Sequence, residues 1–173
     1  MNRSLRIVLT AASIVAVALL TTGCPDVCCN TARGGGSIVI REGDQSRKAT
    51  FGFQLVCKPT DNPEAPKVSG QFEYQNHGAK DAQGRPMKLS IHGVATGAGY
   101  TETQCSSNQG MFTGTYKHQP ENSGLPGTFT VSVVDNGQPG PSDGDTFALL
   151  LTRDGATVYE AQGTLTGGNI KTF

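Results

Sequence analysis

Asp135, Asn136, Asp143 and Asp145 crowd one short stretch of the chain. Carboxylate and amide oxygens are hard ligands, and Ca²⁺ gathers about six to eight of them. The spacing does not match an EF-hand loop. The same residues, beside Asn136-Gly137 and Pro139-Gly140, also suit turns, where Asn, Asp, Gly and Pro are favoured for backbone reasons. We therefore expect a polar turn here, with calcium ligation as the alternative. His77, His92 and His118 are the only histidines. Imidazole is a good transition-metal ligand, yet no two of them stand two apart on one strand, so no local ligand pair exists. Glu73 lies between Gln71 and Gln75 on what reads as a polar strand face. A nucleophile needs an activating base and an orienting third group, and no Gly-x-Ser-x-Gly elbow occurs. Carboxylate pairs for glycoside chemistry meet in space rather than in sequence. No catalytic residue is assigned. A small secreted hydrolase or metal-dependent enzyme is the alternative to a non-catalytic module.

The first residues are of another kind. Arg3 and Arg6 precede an uncharged apolar run over Ile7–Leu20. At 14 residues it is shorter than the roughly 20 a spanning helix needs. It has the length of a signal-peptide core. Then comes Leu20-Thr21-Thr22-Gly23-Cys24, which resembles the end of a bacterial lipoprotein signal: small residues, then a cysteine. Thr21 stands where Leu is usual. The resemblance implies that Cys24 is alkylated by a diacylglycerol and becomes the mature N-terminus. Each buried acyl CH₂ would contribute about 0.8 kcal/mol of anchoring. Ordinary signal cleavage after Gly23 is the competing reading. The expected organisation is a signal peptide over 1–23, a lipid-anchored flexible tether over 24–36 ending in Gly34-Gly35-Gly36, and one domain over 37–173. The protein would be exported and held on the periplasmic or extracellular side of a membrane.

With Cys24 acylated, Cys28, Cys29, Cys57 and Cys105 remain, an even number in an exported chain. Cys57 and Cys105 fall in candidate strands, and a bridge between them is the first expectation. Cys28 and Cys29 are neighbours and would stay free or pair elsewhere. A metal site at Cys24, Cys28 and Cys29 lacks a second ligand pair at zinc spacing. The chain has 14 basic and 14 acidic residues; without Arg3 and Arg6 it has 12 against 14. No basic run occurs, which argues against nucleic acid as a partner.

Elements that could position these residues alternate with period two. Phe51, Phe53, Leu55 and Cys57 share one face. Phe72 and Tyr74 alternate with Gln71, Glu73 and Gln75. Leu89 and Ile91 alternate with Lys88, Ser90 and His92. Phe112, Gly114 and Tyr116 repeat the pattern, as do Phe129, Val131 and Val133. Phe147, Leu149 and Leu151 continue it, but Ala148 and Leu150 make that strand apolar on both faces. Ser37–Arg41, Tyr100–Cys105 and Thr157–Leu165 are weaker candidates. Turn signals separate the runs, and Asp154-Gly155 is the best tight hairpin. The expected fold is all-β: an antiparallel sandwich or barrel of about nine strands.

Thr128-Phe129-Thr130-Val131-Ser132-Val133-Val134-Asp135-Asn136-Gly137, Asp145-Thr146-Phe147 and Gly163-Thr164-Leu165-Thr166-Gly167-Gly168-Asn169-Ile170 resemble the post-COAP family of secreted bacterial β domains. Thr50-Phe51-Gly52-Phe53 resembles its opening strand. The likeness runs over about residues 36–173 and is strongest in the last third. It implies export and an all-β fold, with no functional residues to transfer. The longer loop after Gly137 and the extra cysteines depart from the pattern. Together these features point to a cell-envelope module that binds a protein or glycan, or is structural.

Overall fold

The computed structural model describes residues 31–42, 45–58, 67–78, 89–98, 107–118, 124–137 and 140–173. They form β1 (Ala32–Glu42), β2 (Gln45–Lys58), β3 (Lys67–Asn76), β4 (Leu89–Ala98), β5 (Gln109–His118), β6 (Gly127–Val134), one helical turn α1 (Gly140–Asp143), β7 (Thr146–Arg153) and β8 (Ala156–Thr172). Each strand pairs antiparallel with its neighbour in sequence, and β8 pairs back onto β1. The sheet is a closed up-and-down barrel of eight strands. The choice between sandwich and barrel falls to the barrel, which leaves no unpaired sheet edge.

Alternation decides what lies inside. Phe51, Phe53, Leu55, Phe72, Tyr74, Ile91, Phe112, Tyr116, Phe129, Val131, Val133, Phe147, Leu149, Leu151, Leu165 and Ile170 are all buried. Phe147 stacks on Phe51 with ring centroids 3.9 Å apart and lies 6.1 Å from Phe72, which meets Phe129 at 5.2 Å. Burying each such side chain contributes about 1.5–3 kcal/mol. Rings from separate strands thus meet across the middle of the barrel. An eight-stranded barrel is just wide enough for its side chains to fill it. Most outward positions carry Thr, Ser, Gln, Glu, Lys and His, with Val39, Val94 and Val158 exposed among them. Apolar-in and polar-out is the reverse of a lipid-facing barrel.

Two sequence expectations change. Gly34-Gly35-Gly36 is not tether but the middle of β1, paired with Phe53, Gly52 and Phe51 on one side and Ile170, Asn169 and Gly168 on the other. A side chain at Gly36 would put its Cβ 2.3 Å from the Gly167 carbonyl oxygen. At Gly168, where φ is +95°, a Cβ would lie 2.0 Å from the Gly35 oxygen. The register shifts between Ser37 and Ile38, so the seam bends at a bulge. Glycine here marks close backbone approach, which composition alone cannot tell from flexibility. Among the described residues there are eight strands, against about nine expected; Tyr100–Cys105, one of the expected strands, lies outside the described residues. The expected hairpin is present: Asp154 (φ 52°) and Gly155 (φ 78°) join β7 to β8 in a turn with both central residues left-handed.

The meander gives the barrel two ends. The entry end holds the start of β1, the β6–β7 connection and the end of β8. The far end holds the β7–β8 hairpin and the Asn76–Gly78 turn.

Candidate functional site

With rings filling the interior, contact chemistry falls to the outer wall and the rims. The outer wall carries an open groove of about 650 Å³. Its rows follow the ladder: Thr130, Leu150 and Glu160 are in register, as are Ser132, Ala148 and Gln162. Val39 and Arg41 of β1 complete it. Ala148 and Leu150 are half-buried outward residues of β7, whose inward residues Phe147, Leu149 and Leu151 are core. The two-faced apolar pattern of this strand therefore has a cause. One face packs the barrel and the other floors a groove with charged side chains, Arg41 and Glu160, on its lining.

A second, shallower depression of about 450 Å³ lies over β2, β3 and β4. Gly52, Glu73 and His92 form one cross-strand row, and Thr50, Gln75 and Ser90 the next. No atom lies within 4 Å of where a Gly52 side chain would begin, so glycine leaves the floor open. His92 Nδ1 stands 3.5 Å from Glu73 Oε1, with the Glu73 side chain 76% exposed. That is a solvated contact of the kind that contributes little. His77 Nε2 and Thr50 Oγ1 are 3.0 Å apart in a hydrogen bond at its edge. The depression offers hydroxyl, amide and carboxylate groups, which suits polar ligands.

His118 lies elsewhere, at the end of β5 on the far rim. Its pKa is lowered from 6.5, first by burial and then by the Arg153 guanidinium. His118 therefore stands apart from His77 and His92, which border the same depression. No group of three or more His, Cys, Asp or Glu that could hold a metal occurs among the described residues. Beside His118, the Tyr116 hydroxyl and Arg153 Nε are buried with no hydrogen-bond partner among the described residues. Arg153 Nη2 donates to Leu125 O at 3.4 Å. Neither residue stands out in the sequence, because Tyr116 reads as core and Arg153 as a turn flank.

The acidic loop is a knot at the entry end. Asp145 is fully buried. Its Oδ1 accepts the Asn136 N–H and its Oδ2 the Ile170 N–H, both at 2.9 Å. Asp135 Oδ1 accepts the Gly137 N–H at 3.1 Å, and its Oδ2 the Thr172 N–H at 3.0 Å. Asn136 Nδ2 donates to Gly144 O at 2.9 Å. The structure brings together Asp135, Asn136 and Asp145 but turns both carboxylates toward main-chain donors. Asp143 is exposed on α1. The turn reading thus has a geometric basis: the side chains tie the β6–β7 connection to β8.

Cys57 is buried on β2 at the entry end, and its N–H donates to Thr31 Oγ1 at 3.3 Å. Cys24, Cys28, Cys29 and Cys105 lie outside the described residues. No family model, no curated protein and no solved structure matches this chain.

Proposed function

We propose that this chain is an exported cell-envelope lipoprotein, anchored through Cys24, whose barrel is a non-catalytic binding module for protein or glycan. The observation that carries the binding reading is Leu150. It is a half-buried apolar side chain facing outward that, with Ala148 and the exposed Val39, floors a groove lined also by Arg41 and Glu160. An apolar floor with charged and polar surroundings gives a partner both area to bury and groups to orient it. The likeness to secreted post-COAP domains agrees with export. A Cys57–Cys105 disulfide belongs to the same reading. Cys57 is buried at the entry end, where Ser107, two residues beyond Cys105 in sequence, accepts the Thr172 hydroxyl.

The test is the intact mass of protein taken from its native membrane fraction, compared with Cys24→Ser. A mass excess of several acyl chains, absent from the variant, is the expected result. An unacylated chain beginning at Cys24 would overturn the anchor. For the groove, Leu150→Asp should abolish retention of whatever co-purifies with the native protein while leaving its thermal midpoint within a few degrees. Unchanged retention would move the binding face elsewhere.

A further inference from the structure

We propose that the entry end of the barrel is a contact surface for anionic lipid headgroups, centred on Arg33, Lys171 and Phe173. The proposal rests on the reading that Cys24 bears the lipid anchor. Phe173 is 56% exposed. Arg33 Cζ lies 4.9 Å and Lys171 Nζ 5.3 Å from the centroid of its ring. Arg33 and Lys171 are also direct cross-strand partners on β1 and β8. Like charges placed opposite each other weaken a sheet, so strand pairing does not account for them. The aromatic face offsets part of that repulsion. An exposed ring between two cations suits the membrane interface, where the ring meets the acyl boundary and the cations meet phosphate.

Position makes the argument specific. The Phe173 N–H donates to Thr31 O at 2.9 Å. The patch is therefore pinned where the chain leaves the barrel toward Cys24. The seven residue steps from Cys24 to Thr31 reach at most about 25 Å. An anchor at Cys24 holds this end, rather than the far end, near the bilayer. Lys58 and Lys67 are a second exposed, directly opposed cation pair on the neighbouring strands β2 and β3. The connection between them contains Asp61 and Glu64, so their net contribution is small. The exposed carboxylate of Asp143 ends α1, which packs against β8, so it borders the patch and offsets part of its charge.

The experiment uses the chain from residue 24 onward with Cys24→Ser, made without lipid. The pairing of β1 with β8 that closes the barrel begins at Ala32. Sedimentation is measured with vesicles of about 30% phosphatidylglycerol in phosphatidylcholine and with phosphatidylcholine alone. A cation near an anionic surface contributes about 1 kcal/mol, or about fivefold in partitioning. Binding to the anionic vesicles only, weakening with salt, is the expected result. Arg33→Gln with Lys171→Gln should lower it by about 25-fold on the same constant. Phe173→Ala should lower it several-fold, and Lys58→Gln with Lys67→Gln about twofold or less. Far-ultraviolet dichroism and the thermal midpoint confirm that each variant folds. Equal binding to both vesicles, or no loss in the Arg33 and Lys171 double variant, would overturn the proposal. The anchor is judged separately by mass. Anionic-vesicle binding with an unacylated Cys24 would sustain the surface and sink the anchor. An acylated Cys24 without such binding would do the reverse.

Discussion

The barrel is held shut by two different physical means. Through the middle, β2, β3, β6 and β7 meet by volume: Phe51, Phe72, Phe129 and Phe147 touch ring to ring. At the β8–β1 seam Ile38, Leu165 and Ile170 pack inward, but glycines stand between them. Gly34, Gly35 and Gly36 pair with Ile170, Asn169 and Gly168, and closure there depends on main-chain approach. Ser37 and Thr166 strap the seam, their hydroxyls 3.0 Å apart and the Thr166 hydroxyl also donating to Ser37 O at 3.1 Å. The contrast teaches that one fold can require atoms in one place and forbid them in another. A packed wall responds to lost volume in proportion. A bent seam responds to a single added carbon.

That contrast is open to a direct break. Gly168→Val places a β-branched side chain where φ is +95° and where even a Cβ would lie 2.0 Å from the Gly35 oxygen. We expect the largest loss here, more than about 4 kcal/mol or failure to fold, because backbone on both sides must shift. Phe147→Ala removes the ring at the centre of the stack and should cost about 3–5 kcal/mol, while Phe147→Leu should cost much less. Chemical denaturation of both series checks the pair. If Gly168→Ala proved milder than Phe147→Leu, the account of the seam would be wrong.

The knot at Asp145 sharpens the comparison, since it ties the end of the seam by side chain. Asp145→Ala strands two N–H groups, those of Asn136 and Ile170. The Ile170 donor is buried and costs about 1–3 kcal/mol when left unpaired, whereas Asn136 is exposed and its donor can turn to water, so a loss of about 1–3 kcal/mol is expected. Adding calcium to the native protein should leave its thermal midpoint unchanged, because the carboxylate oxygens already accept main-chain donors. A calcium-dependent rise of several degrees would restore the metal reading of Asp135, Asn136, Asp143 and Asp145.

The packed wall was legible in the sequence and the seam was not. Phe51-x-Phe53-x-Leu55 and Phe129-x-Val131-x-Val133 announce strands with one apolar face, because the side-chain period matches the pleat. Leu150 and Ala148 announced a second apolar face, and it became the floor of the groove. Gly34-Gly35-Gly36 looked like linker because glycine carries no periodic signal; only the partner strand reveals why Cβ atoms are forbidden there. Long-range pairing likewise hid the Glu73–His92 row and the Arg33–Phe173–Lys171 cluster. The members of each meet across strands, and no local spacing records it. The loop acids were visible as a cluster, but their partners, the main-chain groups of Ile170 and Thr172, lie far along the chain.

The smallest expected effect belongs to the polar edge of the packed wall. His118 closes β5, its ring 5.7 Å from that of Tyr116, and burial together with Arg153 lowers its pKa below 6.5. In the unfolded chain the imidazole recovers its ordinary value, so the unfolded state takes up a proton first as pH falls. The stability contributed by neutral His118 is therefore full above about pH 6.5 and is lost as pH drops through the lowered folded value. His118 is only half-buried, so the change should be slight. Measured between pH 7.5 and 5, the native protein should lose a little more stability than His118→Gln does. A native protein that instead gained stability relative to His118→Gln over that interval would mean that the protonated ring finds an acceptor at the far rim. The wall would then hold its edge by charge rather than by burial.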